Sequence, residues 1–402
     1  MKKNSSDASK ESTLPAEGCY LKENVYASRL EKIYDWMAQE GVSLVMLEDT
    51  ETRRDLNIRW LTGHPGDALL FLSIGNKSDR KQDYKSILVA WDINLAKIYA
   101  SPPVMLASYN DFDRKPCRAI AAVACKLGIP AGSKIEIPPV TPYPVFLDYV
   151  GELTDYDILC RNEGVASEIR KLRAVKDERE ITLIRTAANI TNELIDSLEK
   201  NVKSGKIKTE ADAALFIELG ARKLGCEGTS FETLAAGPSR SYAIHAFPSW
   251  TDFPFGGQGL SILDFGVKYN GYCTDVTLTF TRDLDPKQEK LVNMVEKAYK
   301  LALSMARNGT YTRDISAAVD AFFSKSKKKM PHGLGHGIGL QEHEYPVIRN
   351  SSENEWVLEP GMIFTIEPGL YAPLTGGCRL ENDILITETG HEVLTTARII
   401  KL

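Results

Sequence analysis

The chain has 402 residues, of which 43% are hydrophobic and 26% are charged, fractions that are ordinary for a globular protein. Its formal net charge of −5 excludes a general electrostatic attraction to nucleic acid or acidic lipid. No stretch approaches the ~18 consecutive apolar residues of a membrane-spanning helix, so we expect neither nucleic-acid nor membrane partners.

The N-terminal residues predict a disordered tail over 1–20. Lys2 and Lys3 are followed by polar residues, where a secretion signal would have an apolar stretch. The seven cysteines are far apart and never form a CxxC pair, which argues against a disulfide framework or a thiolate zinc site. We therefore expect a cytoplasmic protein with reduced thiols.

The first half of the chain alternates between helical and extended patterns. A helix is predicted over 27–39, with Gly41 as its C-terminal stop, and further helices over 118–127 and 143–153. Apolar runs of strand length cover 42–47, 68–72, 86–91 and 156–159. This alternation predicts an α/β N-terminal domain over 21–164.

The second half, 165–402, contains stronger helix signals. A long amphipathic helix is predicted over 176–200. Another begins at Thr209, with Asp212 at the capping-box position and Gly225 past its end. A third begins at Asp285-Pro286 and is predicted to end at Asn308-Gly309. The residues with chemical interest lie in the strands and loops between these helices.

Two aspartates lie on a predicted hairpin. The pair Asn270-Gly271 is a strong turn signal between two strand-like runs, and it would place Tyr269 opposite Tyr272. In that register Asp264 and Asp275 are diagonal neighbours on one face, with Cβ atoms within about 7–8 Å. Two like charges at this distance favour a bound divalent metal, although two solvent-exposed aspartates are the alternative.

Three of the six histidines, His332, His336 and His343, lie in a glycine-rich segment with glycines at 333, 335, 337 and 339. Glycines at alternate positions allow close backbone approach and leave the imidazoles accessible. The segment fits neither GxGxxG nor HExxH. A metal ligand with accompanying proton-transfer histidines therefore explains it better than three packed core histidines.

The third segment supplies two glutamates and an arginine. Glu367 ends an apolar run, where an unpaired carboxylate would be costly. Arg379 and Glu381 share one strand face by the two-residue period, and a surface ion pair between them is the alternative interpretation.

Together these segments offer two aspartates, two glutamates and a histidine. Such a hard, oxygen-rich set suits two divalent ions better than one tetrahedral zinc. It favours manganese, with cobalt or zinc as alternatives. Two ions about 3.5–4 Å apart can activate a bridging water and polarise a carbonyl.

The ordered motifs LDFG, TDVT, HGLGHGIGL…HE, FTIEPGLY and RLE make the sequence similar to the pita-bread metallopeptidases. This group includes aminopeptidase P, prolidase, methionine aminopeptidase and the metal-free creatinase. Residues 57–63, NIRWLTG, resemble a segment of the creatinase/prolidase N-terminal domain, which methionine aminopeptidases lack. The resemblance implies an α/β N-terminal domain followed by an α+β pita-bread catalytic domain over 165–402.

The resemblance also implies roles for individual residues. Five would bind metal: Asp264, Asp275, His336, Glu367 and Glu381. Glu367 would in addition be the base for the attacking water, and His332 and His343 would contact substrate and transfer protons. His245 and Arg379 would line the substrate site.

The implied activity is hydrolysis of the N-terminal Xaa-Pro bond of a peptide by a metal-activated bridging water, in a homodimer. A dipeptide-only prolidase, a non-catalytic binding relative and a metal-free creatinase-like hydrolase are the alternatives. Two positions depart from the family pattern. Asn382 stands where relatives often have aspartate, and Ile244 stands where proline is usual before the active-site histidine.

Overall fold

The computed structural model describes residues 19–75, 84–101 and 103–402, so the tail predicted over 1–20 lies outside the described residues except for its last two positions. The chain divides into two compact units, the first ending at Ile169 and the second spanning Arg170–Leu402. Across the described residues, no helix combines the length and the apolar character needed to cross a bilayer.

The first unit contains a six-stranded sheet of order β4-β3-β2-β1-β5-β6, in which β1, β2 and β3 are antiparallel and the other pairs are parallel. Its strands are β1 Val42–Asp49, β2 Ala68–Ser73, β3 Lys85–Ala90, β4 Met105–Ser108, β5 Lys134–Glu136 and β6 Asp157–Leu159. Its helices are α1 Cys19–Glu40, α2 Asn57–Thr62, α3 Ile93–Tyr99, α4 Pro116–Lys126 and α5 Tyr143–Glu152, with a short 3-10 turn at Tyr109–Phe112. The next helix, α6 Val165–Leu172, spans the boundary between the units.

The predicted elements of the first unit are confirmed to within a few residues, apart from the start of α1. Gly41 ends α1 with a φ of 68°, a conformation that glycine adopts without steric cost. Strand β2 is buried along its whole length. Leu69 and Phe71 on one face share an apolar core with α4 and α5, and α2 also contacts the strand.

The second unit contains four helices in its described residues: α7 Glu178–Lys203, α8 Glu210–Lys223, α9 Pro286–Met305 and α10 Thr312–Ser324. Its first strands are β7 Gly228–Thr229, β8 Leu234–Ala236, β9 Gly259–Phe265, β10 Val267–Tyr269, β11 Tyr272–Cys273 and β12 Val276–Arg282. The later strands are β13 Gly335–Gly337, β14 Glu344–Ile348, β15 Ile363–Ile366, β16 Gly369–Ala372, β17 Gly376–Arg379, β18 Asn382–Thr387, β19 Gly390–Val393 and β20 Ile399–Lys401.

Two sheets position the site residues of this unit. One has the order β20-β12-β9-β8, and the other has the order β14-β13-β15-β18-β19. A shared apolar core joins them to all four helices, and it includes Ile195 of α7, Ile217 of α8, Val295 of α9 and Val319 of α10. The candidate ligands lie in or next to strands of these sheets, on a framework held by buried apolar contacts.

The helix starts predicted in this unit are confirmed. Asp177, Thr209 and Asp285 are N-caps whose side chains accept backbone N–H groups of the first turn, and each forms a capping box. The predicted end of α9 at Asn308-Gly309 is wrong, because the helix ends at Met305. His391 Nδ1 lies 2.8 Å from the carbonyl oxygen of Ala306, the residue directly after the helix. A side chain from β19 thus supplies a hydrogen-bond partner at the end of α9.

The predicted hairpin is also confirmed. Tyr269 pairs with Tyr272 across the turn, and the same register places Asp264 opposite Thr277 in β9 and β12. Asn270 and Gly271 both have positive φ, as a type I′ turn requires. Asp264 and Asp275 therefore lie near each other, as the turn signal predicted.

Candidate metal centre

Each of the five predicted metal-binding side chains is held at or next to a strand of the second unit. Asp264 lies near the end of β9, and Asp275 directly precedes β12. His336 is the middle residue of β13, and Glu367 directly follows β15. Glu381 lies between β17 and β18 and forms an isolated bridge with Thr277.

The five side chains converge on one cavity of about 560 Å³. Ligand atoms of Asp275, His336 and Glu381 lie within 4.8 Å of one another. His336 Nε2 lies 3.7 Å from Asp275 Oδ2 and 3.6 Å from Glu367 Oε1. Asp264 lines the same cavity, and its Oδ2 atom accepts a hydrogen bond from Arg379 Nη2 at 2.5 Å.

The carboxylates of this cluster are crowded, and all but the partly exposed Glu367 are buried. Burial, together with the charges of the neighbouring carboxylates, raises the pKa of Asp275 and of Glu367 well above the ordinary values. The same causes raise the pKa of Glu381 to about 7. Asp264 Oδ1 and Asp275 Oδ1 are buried and accept no hydrogen bond from the described residues. Divalent cations would relieve both the repulsion and the missing partners, so these residues fit a metal pair.

His336 is suited to bind metal as a neutral imidazole. Burial, helped by the neighbouring His343, lowers the pKa of His336 to about 3. His336 Nδ1 lies 3.2 Å from the Gly337 carbonyl oxygen, and a bond there assigns the proton to Nδ1. That tautomer leaves Nε2 free toward the carboxylates, which is the arrangement that metal-binding histidines use.

The glycines beside His336 are required by space. A Cβ atom at Gly335 would lie 1.9 Å from the Thr365 carbonyl oxygen, and one at Gly337 would lie 1.9 Å from the Tyr345 carbonyl oxygen. Real Cβ atoms do not approach backbone oxygen so closely. These two positions therefore let β13 pass between its neighbouring strands with His336 facing the cavity.

His332 and Arg379 are joined through a residue that the sequence did not indicate. Arg379 Nη1 donates a hydrogen bond to the Tyr371 hydroxyl at 2.7 Å, and that hydroxyl lies 3.1 Å from His332 Nε2. His332 Nδ1 lies 3.8 Å from Glu367 Oε2. Burial lowers the pKa of His332 to about 4, so this imidazole is neutral near pH 7. Tyr371 thus connects the two predicted residues beside Glu367.

The strand predicted to carry both Arg379 and Glu381 is wrong. Arg379 ends β17, and Glu381 lies outside both β17 and β18, as an isolated bridge residue opposite Thr277. The surface ion pair is also wrong, because both residues are only 2% exposed. Arg379 pairs instead with Asp264, since β17 lies beside β9 and brings the guanidinium over that carboxylate.

His343 and His245 line the cavity from its more exposed side. The rings of His343 and His336 meet edge to face, with centroids 4.2 Å apart. His245 lies in the long connection between β8 and β9, and the Ile244 carbonyl before it accepts a hydrogen bond from Arg379 Nη1 at 3.1 Å. Proline would offer the same carbonyl, so isoleucine at this position leaves the contact intact.

Two further polar residues support the ligands and were missed by sequence reasoning. Thr277 Oγ1 donates a hydrogen bond to Glu381 Oε2 at 2.7 Å. Asp383 accepts the backbone N–H of Asp275 at 3.2 Å, and burial raises the pKa of Asp383 well above its ordinary value. Thr277 could have been found from the hairpin register, which places it opposite Asp264. The neighbouring Asn382 bonds to Ala397 and Thr395.

Comparison with known proteins identifies a family. Residues 182–388, just over half of the chain, match the model of metallopeptidase family M24. The chain is 32% identical over 237 residues to an uncharacterised peptidase of Methanocaldococcus jannaschii, an alignment that covers 58% of this chain and 67% of that protein. Its match to a Bacillus subtilis relative covers 62% of that protein's length, less than two thirds.

Solved structures resemble nearly the whole chain. An Xaa-Pro dipeptidase from Bacillus anthracis matches with a TM-score of 0.79 at 24% identity, covering 94% of this chain and all of that one. A dipeptidase from Pyrococcus horikoshii matches with a TM-score of 0.76 at 27% identity, covering 93% of this chain and all of that one. These likenesses confirm the predicted fold class, an α/β N-terminal part followed by a pita-bread part.

Proposed function

The chain belongs to metallopeptidase family M24, and we propose that it hydrolyses the N-terminal Xaa-Pro bond of peptides with two divalent metal ions. The observation that carries the proposal is the convergence of three buried carboxylates, the partly buried Glu367 and one neutral imidazole on a single cavity. Two of the carboxylates, Asp264 and Asp275, each have a buried oxygen without a hydrogen-bond donor among the described residues. Such a cluster is costly unless cations bind to it.

Asp264, Asp275, His336, Glu367 and Glu381 would hold the ions. When bound, the ions would lower the pKa of a water molecule and polarise the scissile carbonyl. The set is rich in hard oxygen ligands, and we therefore propose manganese as the metal, with cobalt or zinc as substitutes. We also propose a homodimer, on the strength of the family resemblance.

The chain's own residues would position the substrate and move its protons. Glu367 would accept a proton from the attacking water, because its carboxylate lies among the metal-binding side chains, with Oε1 3.6 Å from His336 Nε2. His343, on the exposed side of the cavity, would donate a hydrogen bond to the scissile carbonyl oxygen. Arg379 would keep Asp264 in place through their short hydrogen bond.

The cavity walls support a substrate that is apolar next to the scissile bond. Six apolar side chains line the cavity together with the metal-binding residues: Phe231, Leu234, Ile244, Ala246, Phe247 and Val347. A prolyl residue has no amide N–H and its pyrrolidine ring is nearly all hydrocarbon, so placing the ring against these apolar side chains costs little desolvation free energy. The name of the Bacillus anthracis neighbour, Xaa-Pro dipeptidase, agrees with this substrate.

A dipeptide-only specificity is the second candidate, and Arg349 favours it. This exposed arginine lines the same cavity as the metal-binding residues. A guanidinium there can pair with the C-terminal carboxylate of a dipeptide, whereas a longer peptide places an amide at that point.

The test is hydrolysis of an Xaa-Pro dipeptide, its C-terminal amide and an Xaa-Pro tetrapeptide, after EDTA treatment and again after manganese is restored. We expect activity to disappear with EDTA and to return with manganese. Asp275→Ala should abolish it while the far-UV circular dichroism stays unchanged. Activity that survives complete metal removal would contradict the proposal and favour a metal-free hydrolase.

The chain-length series separates the two specificities. A prolidase would cleave the free dipeptide and reject both the amide and the tetrapeptide, and Arg349→Met would remove that preference. An aminopeptidase would cleave all three. The matched substrate with alanine in place of proline controls for a peptidase without proline preference. Metal-loaded protein that cleaves none of these peptides would refute the proposed activity and favour a non-catalytic binding role.

A further inference from the structure

A fully buried carboxylate outside the metal centre organises one wall of the cavity. Glu210 is the first residue of α8 and is 0% exposed. A buried glutamate is costly unless its oxygens are fully hydrogen-bonded. Glu210 meets that condition with donors from residues 27 to 41 positions later in the chain.

The donors to Glu210 all come from the connection between β8 and β9. The backbone N–H of Gly237 bonds to Oε1 at 2.7 Å. Arg240 Nη1 bonds to Oε2 at 2.9 Å. Thr251 bonds to the same oxygen through its N–H at 2.8 Å and its hydroxyl at 2.6 Å. One carboxylate therefore joins the two ends of a segment, 237–251, that contains neither helix nor strand.

The hydrogen bonds of Glu210 to Gly237, Arg240 and Thr251 form an anchor for the segment, and Arg240 adds a bond within it. Its Nη2 atom contacts the Pro248 carbonyl oxygen, while Nη1 bonds to Glu210. A second connection lies at the Thr251 end, where the Ala211 N–H donates to the Thr251 carbonyl at 2.9 Å. The start of α8 and the segment are thus tied by side-chain and backbone bonds together.

The residues between these anchors form a wall of the cavity: Ile244, His245, Ala246, Phe247 and Ser249. At the far side of the segment, Arg379 donates to the Ile244 carbonyl, and Arg379 also bonds to Asp264. Glu210 and Arg240 do not line the cavity themselves, so any effect on substrate must pass through the segment.

We propose that Glu210 and Arg240 are positioning residues that fix segment 237–251 as the substrate-binding wall of the cavity. The proposal rests on the proposed function for its effect on hydrolysis, but the order of the segment can be measured without activity. Loss of the anchor weakens the contacts between the segment and the substrate, which are made equally in the ground state and the transition state. The Michaelis constant should therefore rise while the turnover number is nearly unchanged.

The test compares the wild-type chain with Glu210→Gln, which keeps one carbonyl oxygen but removes the charge facing Arg240. We expect KM for an Xaa-Pro dipeptide to rise about 10-fold or more, and kcat to change by less than about 3-fold. Metal content should stay at the wild-type level. Amide hydrogen exchange should accelerate within 237–251 and stay slow in β9 and β12.

Two further variants keep the test decisive. Glu218→Gln, on the same helix, is the matched control and should leave KM and exchange unchanged. Thr251→Val removes one hydroxyl donor to Glu210, along with the bond that this hydroxyl accepts from the Phe253 N–H. It should give a smaller change in the same direction, even if Glu210→Gln folds poorly. Wild-type KM together with wild-type exchange in Glu210→Gln and Thr251→Val would overturn the proposal.

The exchange measurement distinguishes this proposal from the proposed function. If the wild-type chain cleaves no Xaa-Pro peptide, the proposed function fails. Faster exchange confined to 237–251 in Glu210→Gln would still support the anchoring role. Faster exchange throughout β9 and β12, with loss of metal, would overturn that role and make Glu210 a general stability residue.

Discussion

Removal of the negative charge from Glu344 should strongly destabilise the second unit. Glu344 is in β14, directly after His343, and its side chain is 5% exposed. Its carboxylate contacts Arg173 and lies 3.5 Å from Lys176 Nζ, and both of these side chains are almost fully buried. The backbone N–H of Gln341 donates to Glu344 Oε1 at 3.0 Å. Glu344→Gln would therefore remove the anion that these two buried cations share, while Arg173 keeps its hydrogen bond to Gln341 Oε1.

The expected magnitude follows from the cost of breaking a buried ion pair, about 3–5 kcal/mol. For a unit of this size each kcal/mol lowers the Tm by about 2–4 °C, so the loss should be about 6–20 °C. Burial alone would raise the pKa of Glu344, but Arg173 and Lys176 hold that pKa below its ordinary value. The stabilisation from the ionised Glu344 is then fully present above about pH 4.3, the pKa of a glutamate in the unfolded chain. It is lost as the pH falls through the lower pKa that Glu344 has in the folded protein.

Thermal unfolding followed by circular dichroism at about pH 7 and about pH 4 would test this reasoning. The difference in Tm between wild type and Glu344→Gln should be large at the higher pH and smaller at the lower one. The matched control, Glu388→Gln, changes an exposed glutamate and should shift Tm by less than about 2 °C. If Glu344→Gln unfolds within about 2 °C of wild type at pH 7, the charge of Glu344 does not stabilise the fold.

Three other changes have expected outcomes. Asp275→Asn should lower both bound metal and activity by more than about 100-fold, which elemental analysis and a peptidase assay would check. It should also raise the Tm of the metal-free protein, measured by calorimetry, because one of the mutually repelling carboxylates becomes neutral. Asp49 is 1% exposed, and burial raises the pKa of its carboxyl to about 6. Ionisation of Asp49 therefore destabilises the folded protein, which is most stable below about pH 4 and loses stability as the pH rises through about 6. Above about pH 6, Asp49→Asn should therefore raise the free energy of unfolding by up to about 3 kcal/mol relative to wild type, less the lost contact with Arg54. A difference in urea midpoint between the two proteins that stays the same at every pH would contradict this. Asp285→Ala removes an N-cap that accepts two N–H groups and should cost about 1 kcal/mol, measured as the urea midpoint against wild type.

Local patterns predicted the parts of the fold that depend on neighbouring residues. The Asn270-Gly271 turn set the register of β9 and β12 and so brought Asp264 and Asp275 together. The caps Thr209 and Asp285 marked helix starts to the residue. In each case the hydrogen bonds that decide the structure lie within a few residues of the signal.

Contacts between distant segments could not be read in this way. Arg379 and Glu381 are two residues apart and looked like one strand face, but the packing of β17 against β9 brings Arg379 to Asp264 instead. Tyr371 and Glu210 carried no local signal, because their partners come from other strands and loops. At the early end of α9, the Ala306 carbonyl likewise contacts a distant residue, His391, 85 positions later.

The close backbone approach at Gly335 and Gly337 affects how a saturation mutagenesis screen of this chain would be interpreted. Alanine at either position would collide with a neighbouring strand, so both would score as intolerant as His336 between them. A map of tolerated substitutions would thus show one uninterrupted sensitive block and could not distinguish the proposed metal-binding residue from the glycines on either side of it. Separate selections for folded protein and for peptide hydrolysis would resolve them, because alanine at the glycines should fail both, whereas a conservative change at His336 should fail only the second.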